Sequence, residues 1–259
     1  MKKILLLLVL LAGCVQQQTQ TQSGSPQDTA PAKPAEASRR AQVHTELGAG
    51  YYERGQLDVA IQELKEALRV DSNYAPAYNV LGLAYMELRE DADAESNFQK
   101  ALSLTPQDSD VNNNYGWFLC QRKREKESIR YFLAALKNPL YATPDKSYAN
   151  AGVCARRSGD EAAAEDYFSK ALRLRPDQPV VLYNLADLSF KRAKYTAAKT
   201  YLDRYMQVVT NPASEGLWLG ARVARKLGDR NAEGSYAAQL RKRYPESKET
   251  RALDYGQFE

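Results

Sequence analysis

Histidine is all but missing from this chain: His44 is the only one in 259 residues. No residues flank it at the spacings that hold zinc or activate a nucleophile, so metal-assisted hydrolysis and histidine-based covalent catalysis have no starting point. Cysteine is almost as scarce, at Cys14, Cys120 and Cys154, too few for a disulfide-built scaffold. There is no Walker loop, no glycine fingerprint following a strand, and no alternating apolar run long enough for a sheet. Past residue 11 no apolar stretch is long enough to cross a bilayer. Charge of one sign is lacking too, with 36 Lys and Arg against 32 Asp and Glu. Lys2 and Lys3 supply two of the net +4, which leaves no electrostatic footprint for nucleic acid. Carboxylates such as Glu63, Glu66 and Glu95 fall on the polar faces of helical patterns. The expectation is therefore a non-enzyme with no metal, no cofactor and no small-molecule substrate.

What is present is a repeat. Residues 75–106 carry Tyr78, Leu81, Gly82 and Tyr85, then Ala94, Phe98, Ala101 and Pro106, each group at helical spacing. Small residues at Gly82, Ala94 and Ala101 mark where two antiparallel helices approach closely, and Tyr78, Tyr85 and Phe98 fill the seam. This is the tetratricopeptide (TPR) pattern. Moving by 34 residues from Gly82 reaches Gly48 in one direction and Gly116 in the other. Gly152 follows after 36, then Ala186 and Gly220 at 34 each. Two extra residues therefore lie near Asn138 to Asp145, and the sixth copy is degraded enough for its register to shift by one. The predicted fold is an all-α TPR solenoid, a right-handed superhelix of six helix-turn-helix repeats with a concave groove. The repeats are placed at 41–74, 75–108, 109–144, 145–178, 179–212 and 213–247, with a tail over 248–259. A solenoid has a row of neighbour interfaces in place of one central core.

The N-terminus reads as a processing signal. Lys2 and Lys3 precede an apolar run from Ile4 to Leu11, then small residues. Leu11-Ala12-Gly13-Cys14 resembles the lipobox of bacterial lipoproteins, which implies a signal peptide over 1–13 and a lipid on Cys14. Val15 at the next position implies an outer-membrane location facing the periplasm, anchored to the membrane through that lipid. From Val15 to Arg40 the composition is mostly Gln, Thr, Ser, Pro and Ala, unable to bury enough surface to fold. Residues 14–40 are expected to be a tether with a coil dimension of roughly 28 Å.

Cys120 and Cys154 fall on the first helices of repeats three and four. An oxidising periplasm permits a bridge between them and adjacent first helices lie close enough for one, so a disulfide is expected, the alternative being a pair of reduced, buried thiols. His44 takes the aromatic position of repeat one and is expected to be a core or seam residue. The register points positions 2, 5, 9 and 12 of the first helices into the groove. Those positions hold Gln42, Thr45, Ala49 and Tyr52, then Asn79, Leu83 and Met86, then Asn113, Trp117 and Cys120. Val153, Arg156, Tyr183, Asp187 and Phe190 continue the row. Tyr52, Leu83, Met86 and Trp117 make an apolar band suited to an amphipathic peptide, unless a neighbouring helix or the tether covers it. Asn114, Asn150 and Asn184 recur at position 6, where TPR domains often bind a peptide backbone and where the repeat consensus also places Asn.

Three stretches go beyond the generic repeat: Asn112 to Cys120 (NNNYGWFLC), Asn138 to Pro144 (NPLYATP) and Asn150 to Cys154 (NAGVC). Together with the lipobox and the turn Leu227-Gly228-Asp229, they resemble the type IV pilus biogenesis lipoproteins PilF and PilW over residues 41–247. The resemblance implies a pilotin, a periplasmic outer-membrane lipoprotein that helps the pilus secretin multimerise. Its partner would be that secretin, bound through Tyr52, Asn79, Leu83, Met86, Asn113 and Trp117, and the chain by itself would be a monomer. The other class in view is a TPR adaptor of a different envelope complex.

Overall fold

The structure is a computed structural model that describes residues 34–258. Among these residues there are thirteen helices and no strand. Six hairpins pair α1 (Pro34–Glu53) with α2 (Leu57–Val70), α3 (Ala75–Leu88) with α4 (Asp91–Leu104), and α5 (Ser109–Gln121) with α6 (Glu125–Ala135). They continue as α7 (Pro144–Arg157) with α8 (Glu161–Leu174), α9 (Pro179–Lys191) with α10 (Tyr195–Val208), and α11 (Ser214–Leu227) with α12 (Arg230–Arg243). A short α13 (Lys248–Asp254) closes the end. The all-α TPR solenoid expected from the period is the observed fold.

Local chemistry sets the boundaries. Asp108, Asp160 and Asp229 cap α5, α8 and α12 by accepting from backbone N–H groups of the first turn. Pro144 and Pro179 open α7 and α9, where a missing N–H costs nothing. Each hairpin turns at one left-handed residue, glycine at Gly55, Gly159 and Gly228 but Arg89, Lys123 and Ala193 in the other three. The hairpin seam is one contact repeated. A Cβ on Gly82 would lie 2.7 Å from Phe98, one on Gly152 2.6 Å from Phe168, and one on Gly220 2.8 Å from Tyr236. That last contact fixes the register of the degraded sixth copy.

The backbone of each first helix runs close to those of the first helices on either side of it, whereas the backbones of successive second helices stay apart. The odd-numbered helices through α11 therefore form the inner, concave row. The two extra residues lie in the Leu136–Thr143 connection after a shortened α6.

Two boundaries need correction. The first helix begins at Pro34 and not at residue 41, so the last seven residues of the expected tether are helical. The expected tail contains α13, whose Leu253 is buried with Leu217, Ala237 and Leu240 and whose following Phe258 lies 5.0 Å from the Trp218 ring. It is a cap. The signal segment, Cys14 and the tether before Pro34 lie outside the described residues.

Candidate functional site

The inner row holds the candidate groove, and much of what the register assigned to it is already engaged. Leu83 and Met86 lean on the cluster formed by Phe98, Tyr115, Phe118 and Leu119. Trp117 packs on Cys120, Phe132, Ala151 and Cys154. Tyr52 is half-buried, and burial, followed by the nearby Glu87 carboxylate, pushes its phenol pKa up. The band of Tyr52, Leu83, Met86 and Trp117 is therefore half-covered, each first helix being screened by the next. Thr45, Asn113, Cys120 and Asp187 are buried outright and cannot line the groove. What stays open here is a hollow of about 280 Å³ lined by Met86, Glu87, Arg89, Trp117, Gln121 and Arg122. Its walls mix a thioether and an indole with charge. Arg122 is held in place by Asp91 at 2.5 Å and by stacking 5.3 Å over the Phe118 ring.

The recurrent asparagines serve the scaffold. Asn114 donates to Asn79 Oδ1 at 3.2 Å, joining α5 to α3. Asn113 Oδ1 accepts from Ser147 at 2.9 Å and from Asn150 at 3.1 Å, joining α7 to α5. Arg156 donates to Asn184 and pairs with Asp187, joining α9 to α7. Asp187 also meets Arg222 of α11 at 3.9 Å. The result is a ladder of polar rungs along the inner row from α3 to α11. Asn79 and Asn113, expected to line the partner-binding groove, are its members, and so are Asn114, Asn150 and Asn184, which stand where a peptide backbone is often bound. The single histidine has a partner that spacing did not reveal, since His44 Nδ1 lies 2.8 Å from Glu63 Oε2 across the first hairpin.

Cys120 and Cys154 are joined in a disulfide with Cα atoms 5.8 Å apart, and both are fully buried. They staple α5 to α7 directly behind Trp117.

A second hollow was not foreseen. It measures about 430 Å³ and is lined by Tyr183, Glu215, Trp218, Arg222, Lys248 and Glu249. It exists because α13 folds back beside α9 and α11, and the degraded repeat pattern after residue 213 gave no sign of that. Among the described residues no cluster of His, Cys, Asp or Glu is arranged to hold a metal, and no helix is long and apolar enough to cross a membrane.

Family models for the TPR repeat match residues 48–88, and those for the tetratricopeptide repeat match residues 78–206. The type IV pilus assembly protein PilF of Pseudomonas aeruginosa is 33% identical over 256 residues, covering 99% of this chain and 96% of that protein. The solved structure of Pseudomonas aeruginosa PilF superposes with a TM-score of 0.82 at 32% identity, covering 85% of this chain and 99% of that one. PilW, described as a widely conserved type IV pilus biogenesis factor, superposes with a TM-score of 0.75 at 32% identity, covering 82% and 97%. With 33% identity sustained over 99% of the chain and the fold shared with both solved structures, the chain belongs to the PilF/PilW family of type IV pilus TPR proteins.

Proposed function

We propose that this chain is a non-enzymatic assembly factor for type IV pili. It is held at the outer membrane by a lipid on Cys14 and promotes multimerisation of the pilus secretin. The family supports a pilus role, and the Leu11 to Cys14 lipobox supports the anchor. The observation that carries the binding mode is the hollow at Met86 and Trp117. It is the open part of the inner row in repeats two and three, and it combines an indole, the residue type most often found as a binding hot spot, with a charged rim. A short segment of the secretin fits here with an apolar side chain between Met86 and Trp117 and polar groups toward Glu87 and Arg122. The Leu83 side chain supports the core beneath.

Met86→Glu tests this reading because it charges the hollow without removing a fully buried group. Secretin capture from solubilised outer membrane should weaken by about 2 kcal/mol, on the order of thirtyfold, and heat-resistant multimers should be lost while the melting temperature holds. Normal multimers in this variant would move the site elsewhere on the solenoid. Normal multimers in a strain lacking the protein would instead favour an adaptor of another envelope complex.

The anchor has its own test. Cys14→Ala should shift the protein from the outer-membrane fraction to the soluble periplasm or leave it unprocessed. Three acyl chains exceed the two that stable anchoring requires, so an unchanged fractionation would count against a lipid on Cys14.

A further inference from the structure

Among the described residues the solenoid is finished at one end and not at the other. At the C-terminal end α13 covers α11 and α12, but nothing among the described residues precedes α1. The repeat itself shows what that leaves bare. Positions equivalent to Val43, Leu47 and Gly50 are Ala77, Leu81 and Ala84 in repeat two, and Val181, Leu185 and Leu188 in repeat five, all at most 4% exposed. In repeat one, Val43 is 51% exposed and Leu47 47%. The first hairpin thus presents an interior face to solvent, where a terminal repeat needs a polar one. The chain's own leading segment does not fit as a cover, since residues 15–33 hold no aliphatic or aromatic side chain beyond Val15, Ala30, Ala32 and the two prolines.

We infer that the cover is a second copy of α1, packed antiparallel across a two-fold axis. The choice rests on the complementarity of this face with itself. Glu36, Arg39, Val43, Leu47, Gly50 and Tyr51 share one side of the helix at 3.6-residue spacing, opposite the buried Ala41, Thr45 and Gly48, and Arg54, in the turn just past its end, reaches the same side by lying 4.6 Å over the Tyr51 ring. An antiparallel register that sets Val43 against Leu47 of the second copy also sets Glu36 against its Arg54 and Arg39 against its Tyr51. One alignment therefore gives apolar contact at the centre, an ion pair at each end and a cation over an aromatic ring between them. Gly50 allows close approach, because a Cβ there would meet only the Arg54 side chain, at 3.5 Å. Glu36 and Arg39 belong to the extension that makes α1 20 residues long when most of the other helices have 13 or 14, which gives that extension a role outside the repeat. The monomer expected from sequence becomes the dissociated state of a weak pair, since one helix crossing is a small interface.

Charge reversal tests the register as well as the face. The full chain in mild detergent is followed by sedimentation velocity from about 1 µM to 1 mM, the span of weak complexes. Wild type should shift to the dimer with concentration. Glu36→Arg and Arg54→Glu should each weaken pairing at least tenfold, because each sets like charges opposite one another. The two combined should restore it, because the reversed charges again face each other. Both side chains are exposed, so the fold is not at stake, and co-occupancy of a micelle would not respond to the double reversal. A wild type that stays monomeric throughout overturns the inference. So do single variants that pair normally, or a double variant that fails to recover.

Discussion

Removing the Cys120–Cys154 bridge should lower the unfolding free energy by roughly 4 kcal/mol. The bond closes a loop of 34 residues, and the entropy that such a cross-link removes from the unfolded chain reaches that size at this length. The loss concentrates at one joint. Repeats three and four meet across the longest connection in the array, and their inner helices are otherwise tied by Ser147 and Asn150 bonding to Asn113. Denaturation of a Cys120→Ser, Cys154→Ser double variant in urea checks the value, and a midpoint equal to wild type would count against it. Because both sulfurs are fully buried, native protein should also resist reductant until the joint opens. Thiol alkylation should then report opening of the third and fourth repeats separately from global unfolding.

Phe168→Ala should cost about 3 to 5 kcal/mol, the range for deleting a fully buried aromatic side chain. Phe168 is 0% exposed, lies under Gly152, and packs with Ala164, Ala171, Val181, Leu185 and Leu188, so it joins its own hairpin to the next. In a solenoid each repeat is held only by its neighbours. A weak fourth repeat therefore separates the array into parts that unfold at different denaturant concentrations. The expected trace has a lower midpoint and a shallower slope, since each part exposes less surface than the whole. A single transition of undiminished slope would show that repeat four does not control cooperativity.

Both predictions concern contacts legible in the period itself. Gly152 and Phe168 sit sixteen residues apart, as do Gly82 and Phe98, and that spacing specifies a hairpin seam without further information. The inner row was read less well. A helical register tells which side a residue faces but not whether the adjacent hairpin reaches over it, which is why Leu83 and Trp117 look freer in sequence than in the fold. Asn113 and Asn114 mislead for a related reason. Amides suited to a peptide backbone are equally suited to the next helix, and only the distance between helices decides. Glu63 looked like an ordinary solvated carboxylate, yet the hairpin brings it to His44. The cap was illegible because its anchors, Leu253 and Phe258, follow no repeat and stand in a short, mostly polar segment.

The polar ladder gives the solenoid two different stiffnesses. Between the helices of a hairpin, close-packed aromatic seams resist any change in spacing, because even a small gap forfeits dispersion contacts. Along the concave wall, the amide rungs between hairpins are side-chain hydrogen bonds, each with a net contribution of only about 0.5 to 1.5 kcal/mol, because water or a peptide can replace either partner. Along that wall the hairpins thus behave as plates joined by exchangeable fasteners, except between repeats three and four, where the Cys120–Cys154 bridge is covalent. A ligand that took over one rung would loosen the joint between the two hairpins which that rung ties together, leaving their packed faces to hold them.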